Sequence, residues 1–343
     1  MVYYMSGIFR LINGTVCINN LKLINSDRSA IILDNCALYT NNVTFENNHD
    51  SSEGAAVYAS GSNYYRANDK FINNYAKNGA SIYALRSILD IDDSKFVNDK
   101  EIGWGLIYAY NSHTNIKNTL FTNITSNYAT AIHSEGGKLN VFNSGFINLF
   151  AKNTAGAIAL KKTNTATIEK CSFINASSSR NGGAIFADIN EDNYNATRDV
   201  AVKSCVFENC SSEFGGAYLQ LGGQVSISNS ILVNNVAKYS GGAIYISNAT
   251  ALIGNSRINQ NSADYLEGGA IFIDDSVSTI ASCDIVNNSA KTLGSGIYLY
   301  SSKYEIKDSY FADNNKEVIV SYFDRKGSSL KNNDLTGGKT LLN

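Results

Sequence analysis

The chain has 343 residues, 44% of them apolar, and a formal net charge of -2. That balance offers no electrostatic footprint for nucleic acid or an anionic membrane, and no apolar run reaches the ~18–20 residues of a membrane-spanning helix. Proline is absent and only 17% of residues are charged, which argues against ordinary loop-rich architecture and for an array of hydrogen-bonded strands faced with Asn, Ser, Thr, Gly and Tyr.

In chain order, Met1-Val2-Tyr3-Tyr4-Met5 lacks the basic start and long apolar core of a signal peptide, and Met1–Asn20 reads as a partial first turn. An internal repeat then takes over. Its first anchor is Ile31, Val57, Ile82, Ile107, Ile132, Ile158, Ile185, Tyr218, Ile244, Ile271 and Ile297, in steps of 26, 25, 25, 25, 26, 27, 33, 26, 27 and 26. Its second anchor is Leu23, Phe45, Phe71, Phe96, Phe121, Phe146, Phe173, Phe207, Leu232, Ile258, Ile285 and Phe311, and lies 14 residues after the first in nine of eleven cases. The long step marks an insertion at about 187–200, which carries Asp188, Glu191, Asp192 and Asp199 and is expected to project. Residues 1–320 read as one domain; 321–343 lose the period and are expected to form a C-terminal cap or frayed tail.

Each repeat reads as three short strands. Strands this short cannot stand alone, so each must pair in parallel with its equivalent one repeat away. The fold class is therefore all-β, a parallel solenoid of about 11–12 rungs of ~26 residues, roughly 50–55 Å long at one strand spacing per rung. Period-two alternation assigns the faces. The first anchor and the residue two further on point inward. The residue between them points outward and is Tyr58, Tyr83, Tyr108, His133, Phe186, Tyr245, Phe272 or Tyr298, an external aromatic ladder. Two residues before the second anchor stands an inward column of small groups, such as Ser94, Cys171 and Cys205. Two residues after it stands Asn25, Asn47, Asn73, Asn98, Asn123, Asn148, Asn175, Asn209, Asn234, Gln260, Asn287 and Asp313, which the same alternation makes an inward asparagine ladder whose amides satisfy each other.

Gly182-Gly183-Ala184-Ile185, Gly241-Gly242-Ala243-Ile244, Gly268-Gly269-Ala270-Ile271 and Phe71-Ile72-Asn73-Asn74 resemble the repeat pair Gly-Gly-Ala-Ile and Phe-x-x-Asn of the polymorphic outer membrane protein passengers of chlamydiae, and related adhesin-like repeats. The resemblance implies a right-handed, pectin lyase-like β-helix, an extracellular or cell-surface setting, and carbohydrate or a host or cell-surface protein as partner. The sequence departs from the family in placing its most regular Asn two residues after the Phe rather than three.

No catalytic residues are assigned. Pectin lyase-like helices include polysaccharide lyases and hydrolases, which need an acidic calcium cluster with a base, or paired carboxylates. Asp90, Asp92 and Asp93 are the best acidic group, but the adjacent turns offer Tyr65, Ala67 and Asn68 on one side and Asn115, Lys117 and Asn118 on the other. A solvated polar face is the better account. Asp188, Glu191, Asp192 and Asp199 are the candidate Ca²⁺ ligands. Cys171 and Cys205 stack one turn apart, more simply as two thiols than as a disulfide. Of eight Asn-x-Ser/Thr sequons, Asn123, Asn175, Asn209 and Asn287 fall in the ladder and are expected to be inaccessible, and Asn195 in the insertion to be the best acceptor. The aromatic ladder (Tyr58, Tyr83, Tyr108, Phe186, Tyr245, Phe272, Tyr298) is the candidate surface for carbohydrate or a partner. The reading is a non-enzymatic adhesin-like rod for adhesion or display; the alternative is a carbohydrate-active enzyme, a polysaccharide lyase or hydrolase.

Overall fold

In a computed structural model the described residues are 7–97, 102–189, 198–336 and 338–342. Among them there is no helix, and the strands form three sheets that wrap one continuous core. The turn that begins at Ile244 shows the plan. Ile244–Ser247 lies in the first sheet, Thr250–Gly254 in the second, and Arg257–Asn259 with Ser262–Ala263 in the third. Gly268-Gly269-Ala270 then delivers Ile271–Asp274 beside the starting strand, in parallel, with Ile244 opposite Ile271 and Ile246 opposite Ile273. One 27-residue step is therefore one rung of a β-solenoid.

Alternation places side chains correctly along each straight strand. Ile244, Ile246, Ile253 and Ile258 are fully buried. The second anchor makes the spine of the core: from Phe45 to Phe207, seven Phe rings stack at 4.6–5.0 Å, one strand spacing apart. Such a stack buries a large apolar area per rung and fixes register, because a slip by one residue would turn every ring to solvent.

The corners run on a different rule. In this rung Asn248, Asn255 and Gln260 hold φ of 52°, 49° and 56°, the left-handed region that Asn tolerates better than other side chains. A left-handed residue interrupts the ladder and leaves the next amide without a strand partner. A polar side chain from the following rung supplies it. The Ala249 amide donates to Ser276 Oγ at 3.0 Å, the Ser230 amide to Ser256 Oγ at 3.2 Å, and the Asn235 amide to Asn261 Oδ1 at 2.9 Å. The small inward column is thus a row of caps.

This rule corrects the asparagine assignment. The Asn two residues after the second anchor is the left-handed corner itself: Asn25, Asn123, Asn148, Asn175, Asn209, Asn234 and Asn287 are exposed at positive φ, and Asn98 lies outside the described residues. The buried ladder stands one residue later. Asn48 Nδ2 donates to Asn74 Oδ1 at 3.0 Å; Asn235, Asn261, Asn288 and Asn314 form a second run linked at 3.0, 3.0 and 3.1 Å. Between the runs the column is apolar, with Ile124, Leu149, Ala176 and Cys210. The ladder therefore follows the Phe-x-x-Asn spacing, as at Phe45–Asn48. It also follows that Asn123, Asn175, Asn209 and Asn287 are accessible rather than sequestered; Asn195 lies outside the described residues.

The ends carry rungs as well. Phe9–Ile12, Thr15–Asn19 and Lys22–Ile24 give strands to all three sheets, so the first turn is complete from Phe9. Past 320, Ser329–Lys331 pairs with the second sheet, Asp334–Thr336 with the third and Thr340–Leu342 with the first. Strands within 321–336 and 338–342 therefore continue all three sheets. Their rung is shorter, Ile319 to Thr340, as is that from Phe9 to Ile31, and it is the lost loop length that hides the period.

Cys36, Cys171, Cys205, Cys210 and Cys283 are buried free thiols and Cys17 is an exposed one. Titration of the native protein with a thiol reagent is expected to give one fast equivalent, lost in Cys17→Ser, and six after denaturation. Five fast equivalents would contradict the packing.

Candidate functional site: the outer face of the first sheet

The predicted ladder is real, outward and interrupted. Tyr58, Tyr83, Tyr108 and His133 stack at 5.5, 5.4 and 4.5 Å; Tyr245, Phe272 and Tyr298 stack at 4.8 and 5.4 Å. Between the runs the column holds Ala159, Phe186 and Leu219, where Phe186 packs on Ala129, Ala155 and Ala159. Outward does not mean exposed. The Tyr and Phe members are half-buried, and His133 is 2% exposed. Residues that lead into the rungs fold against the column: Trp104, in a loop, meets His133 edge-on at 5.0 Å and stacks on Tyr128 at 4.0 Å, and Phe214, at the end of Ser211–Phe214, meets Tyr245 edge-on at 5.7 Å. Trp104 follows no strand period and Phe214 stands past a register shift in its strand, so alternation could not foresee this cover.

The geometry also limits what the rings can do. At about one strand spacing their faces are spent on each other, and no second ring fits between them. The column therefore presents ring edges and hydroxyls. Burial pushes the Tyr83, Tyr245 and Tyr298 hydroxyls up to about 12, so they remain hydrogen-bonding phenols across the ordinary pH range. Tyr108 is held higher still by burial and by its bond to Glu135.

One polar cluster escaped sequence reasoning. Tyr108 donates to Glu135 Oε2 at 2.7 Å, His133 Nε2 lies 3.7 Å from the same oxygen, and Lys161 Nζ lies 3.6 Å from Oε1. Three neighbouring rungs build it, since Tyr108, His133 and Ala159 share one column and Tyr110, Glu135 and Lys161 the next outward one. Chiefly its contact with His133, together with the hydrogen bond from Tyr108, holds the Glu135 carboxyl down to about 2. Burial pushes His133 below its ordinary range, so it stays neutral. The signal was present as His133-x-Glu135 beside Tyr108 and Lys161, and is visible once rungs are aligned. Because the folded carboxyl titrates below its ordinary value of 4.5, the cluster stabilises above that pH and loses its contribution as pH falls toward 2. Glu135→Gln is expected to flatten the acid limb of the unfolding midpoint over that window. An unchanged limb would place the acid sensitivity elsewhere.

Asp188 ends Ile185–Asp188 in the first sheet, Asp199 begins Asp199–Lys203 in the second, and Glu191 and Asp192 lie outside the described residues. Asp90 and Asp92 face outward with Tyr65 and Ala67 on one side and Asn115 and Lys117 on the other, the register read from the repeat.

Comparison with known proteins adds three findings. The family description of a right-handed β-helix region matches residues 85–251 and 212–341, and the Chlamydia polymorphic membrane protein repeat matches residues 42–60, the stretch that holds Phe45, Asn48 and Val57. No curated protein matches the chain. Among solved structures, the A-module of a mannuronan C-5 epimerase from Azotobacter vinelandii is similar at 11% identity and a TM-score of 0.38, over 90% of this chain and 88% of that one.

Proposed function

This chain belongs to the right-handed β-helix family, and we propose that it serves as a non-enzymatic rod, at a cell surface or secreted, for adhesion or display. The polymorphic membrane protein repeat at 42–60 supports that setting. The observation that carries the reading is how the outer groups are used. Glu135 and His133, the carboxylate and imidazole that meet on this face, are tied to Tyr108 and Lys161, and the imidazole lies beneath Trp104. A buried neutral imidazole with its partner carboxylate already bonded has no path to a polymer substrate. Among the described residues no helix is long and apolar enough to cross a membrane. The half-buried edge of Tyr58, Tyr83, Tyr108, Phe186, Tyr245, Phe272 and Tyr298 is the proposed partner-facing ridge, a row of rims and hydroxyls that suits a protein surface.

Fluorescently labelled rod is expected to bind cells displaying a partner, with binding weakened by Tyr245→Ala combined with Phe272→Ala. Incubation with polyuronates is expected to leave their chain length, unsaturation and C-5 configuration unchanged. Any turnover of these polymers would overturn the reading.

A further inference from the structure

We propose that the outer face of the second sheet, where Tyr65 meets Asp90 and Asp92, is a binding subsite for an uncharged pyranose unit of a glycan. The proposal rests on the rod being a binder, and names one ligand class and a place for it away from the first-sheet ridge.

The outward column of this sheet reads Cys17, Tyr39, Tyr65, Asp90, Asn115, each opposite the next across one rung. Tyr39 and Tyr65 stack at 4.9 Å and 18°. Unlike the longer runs on the first sheet, this stack has only two members, bounded by a small thiol and by a carboxylate. Its end faces therefore look along the rod at short side chains instead of at further rings. The next outward column reads Asn41, Ala67, Asp92, Lys117, so a methyl group stands where its neighbours carry longer chains. Together these make a hollow of about 490 Å³ lined by Tyr39, Tyr65, Ala67, Asp90, Asp92 and Lys117 among others. Tyr39 is 44% exposed at its rim.

A pyranose suits this chemistry. Its C–H face is flat and weakly positive and stacks on an aromatic face, while its equatorial hydroxyls point sideways to acceptors and donors. Seated on Tyr65, the ring would continue the stack at one rung spacing and bring its hydroxyls over Asp90, Asp92 and Lys117. Asn118 Nδ2 donates to Asp92 Oδ1 at 2.9 Å, which fixes that carboxylate and leaves its other oxygen as an acceptor. Asn140 Nδ2 donates to Asn115 Oδ1 at 2.9 Å, so the Asn115 amide keeps its donors. Two carboxylates at the seat disfavour a uronate, which selects an uncharged sugar.

Saturation-transfer NMR and calorimetry with cellohexaose, mannohexaose and an oligoguluronate test it on the full chain. At least one neutral hexamer is expected to bind. Tyr65→Ala is expected to weaken it at least about tenfold, Tyr65→Phe to keep most of the affinity, and Asp90→Asn with Asp92→Asn to weaken it several-fold, all with unchanged unfolding midpoints. Tyr265→Ala, an exposed ring outside both surfaces, is expected to leave it unchanged. Binding of neither neutral hexamer, tighter binding of the oligoguluronate, or equal loss with Tyr265→Ala would overturn the subsite. The rod reading fails by a separate outcome, conversion of any of these sugars.

Discussion

Gly242→Ala is expected to cost about 3 kcal/mol or more and to lower the unfolding midpoint on the order of 5 °C. A Cβ at this position would lie 1.9 Å from the Gly269 carbonyl oxygen and 2.6 Å from that of Ser262. Both are backbone atoms of the next turn or its approach, held by the ladders on either side, so neither can retreat. The two glycines of Gly241-Gly242 do different jobs. Gly241 holds φ of +69° and turns the chain; Gly242 makes room for the rung above, and Gly156, Gly183, Gly216 and Gly269 repeat that tight approach through the stack. Gly254→Ala in the same rung is the control. Its Cβ would meet only the Ala281 carbonyl at 3.6 Å, and alanine in a strand is expected to be neutral or to gain about 0.5–1 kcal/mol. Thermal unfolding of the two variants should separate them clearly; equal effects would remove the close-approach account.

Asn261→Ala is expected to cost about 3–5 kcal/mol, because several polar partners are left unsatisfied at once. Asn261 Nδ2 donates to the Leu232 carbonyl at 3.0 Å and to Asn288 Oδ1 at 3.0 Å, while its Oδ1 accepts from the Asn235 amide at 2.9 Å and from Asn235 Nδ2 at 3.0 Å. Gln260→Gly, one residue earlier, is expected to be neutral or slightly stabilising, since Gln260 is exposed and holds a left-handed φ that glycine adopts without strain. Adding Asn288→Ala to Asn261→Ala is expected to cost less than the sum of the two, because the second change removes a partner already orphaned. Chemical denaturation of the four proteins measures this. A larger loss at Gln260 than at Asn261 would return the ladder to the position that alternation first suggests.

That contrast shows where sequence reasoning carries and where it stops. Along straight strands period-two alternation is enforced by the pleat, so Ile244, Ile246 and Phe45 fall inside, and Asp90 falls opposite Tyr65 and Asn115, as the repeat implies. It even places Arg66 inside, against that residue's own chemistry, with the guanidinium carbon 4.5 and 4.7 Å from the Phe71 and Phe96 ring centres. At a left-handed corner the alternation skips a step, and the asparagine ladder moves by one residue. The aromatic column was legible as outward, but its cover by Trp104 and Phe214 was not, because Trp104 lies in a loop without period and Phe214 past a register shift in its strand. The Tyr108, His133, Glu135 and Lys161 cluster needed three rungs in register before its members became neighbours.

Every functional statement depends on one repeat making one rung, and spin-label distances test that directly. Asn115 and each of Ser226, Leu252, Thr279 and Glu305 lie in one outward column, four, five, six and seven rungs apart. With Cys17→Ser as background and cysteine placed at Asn115 and one partner at a time, double electron–electron resonance is expected to give distances of roughly 19, 24, 29 and 34 Å, rising by about one strand spacing per repeat. Distances that fail to rise evenly, or that rise by another increment, would contradict the stack and the surfaces assigned on it.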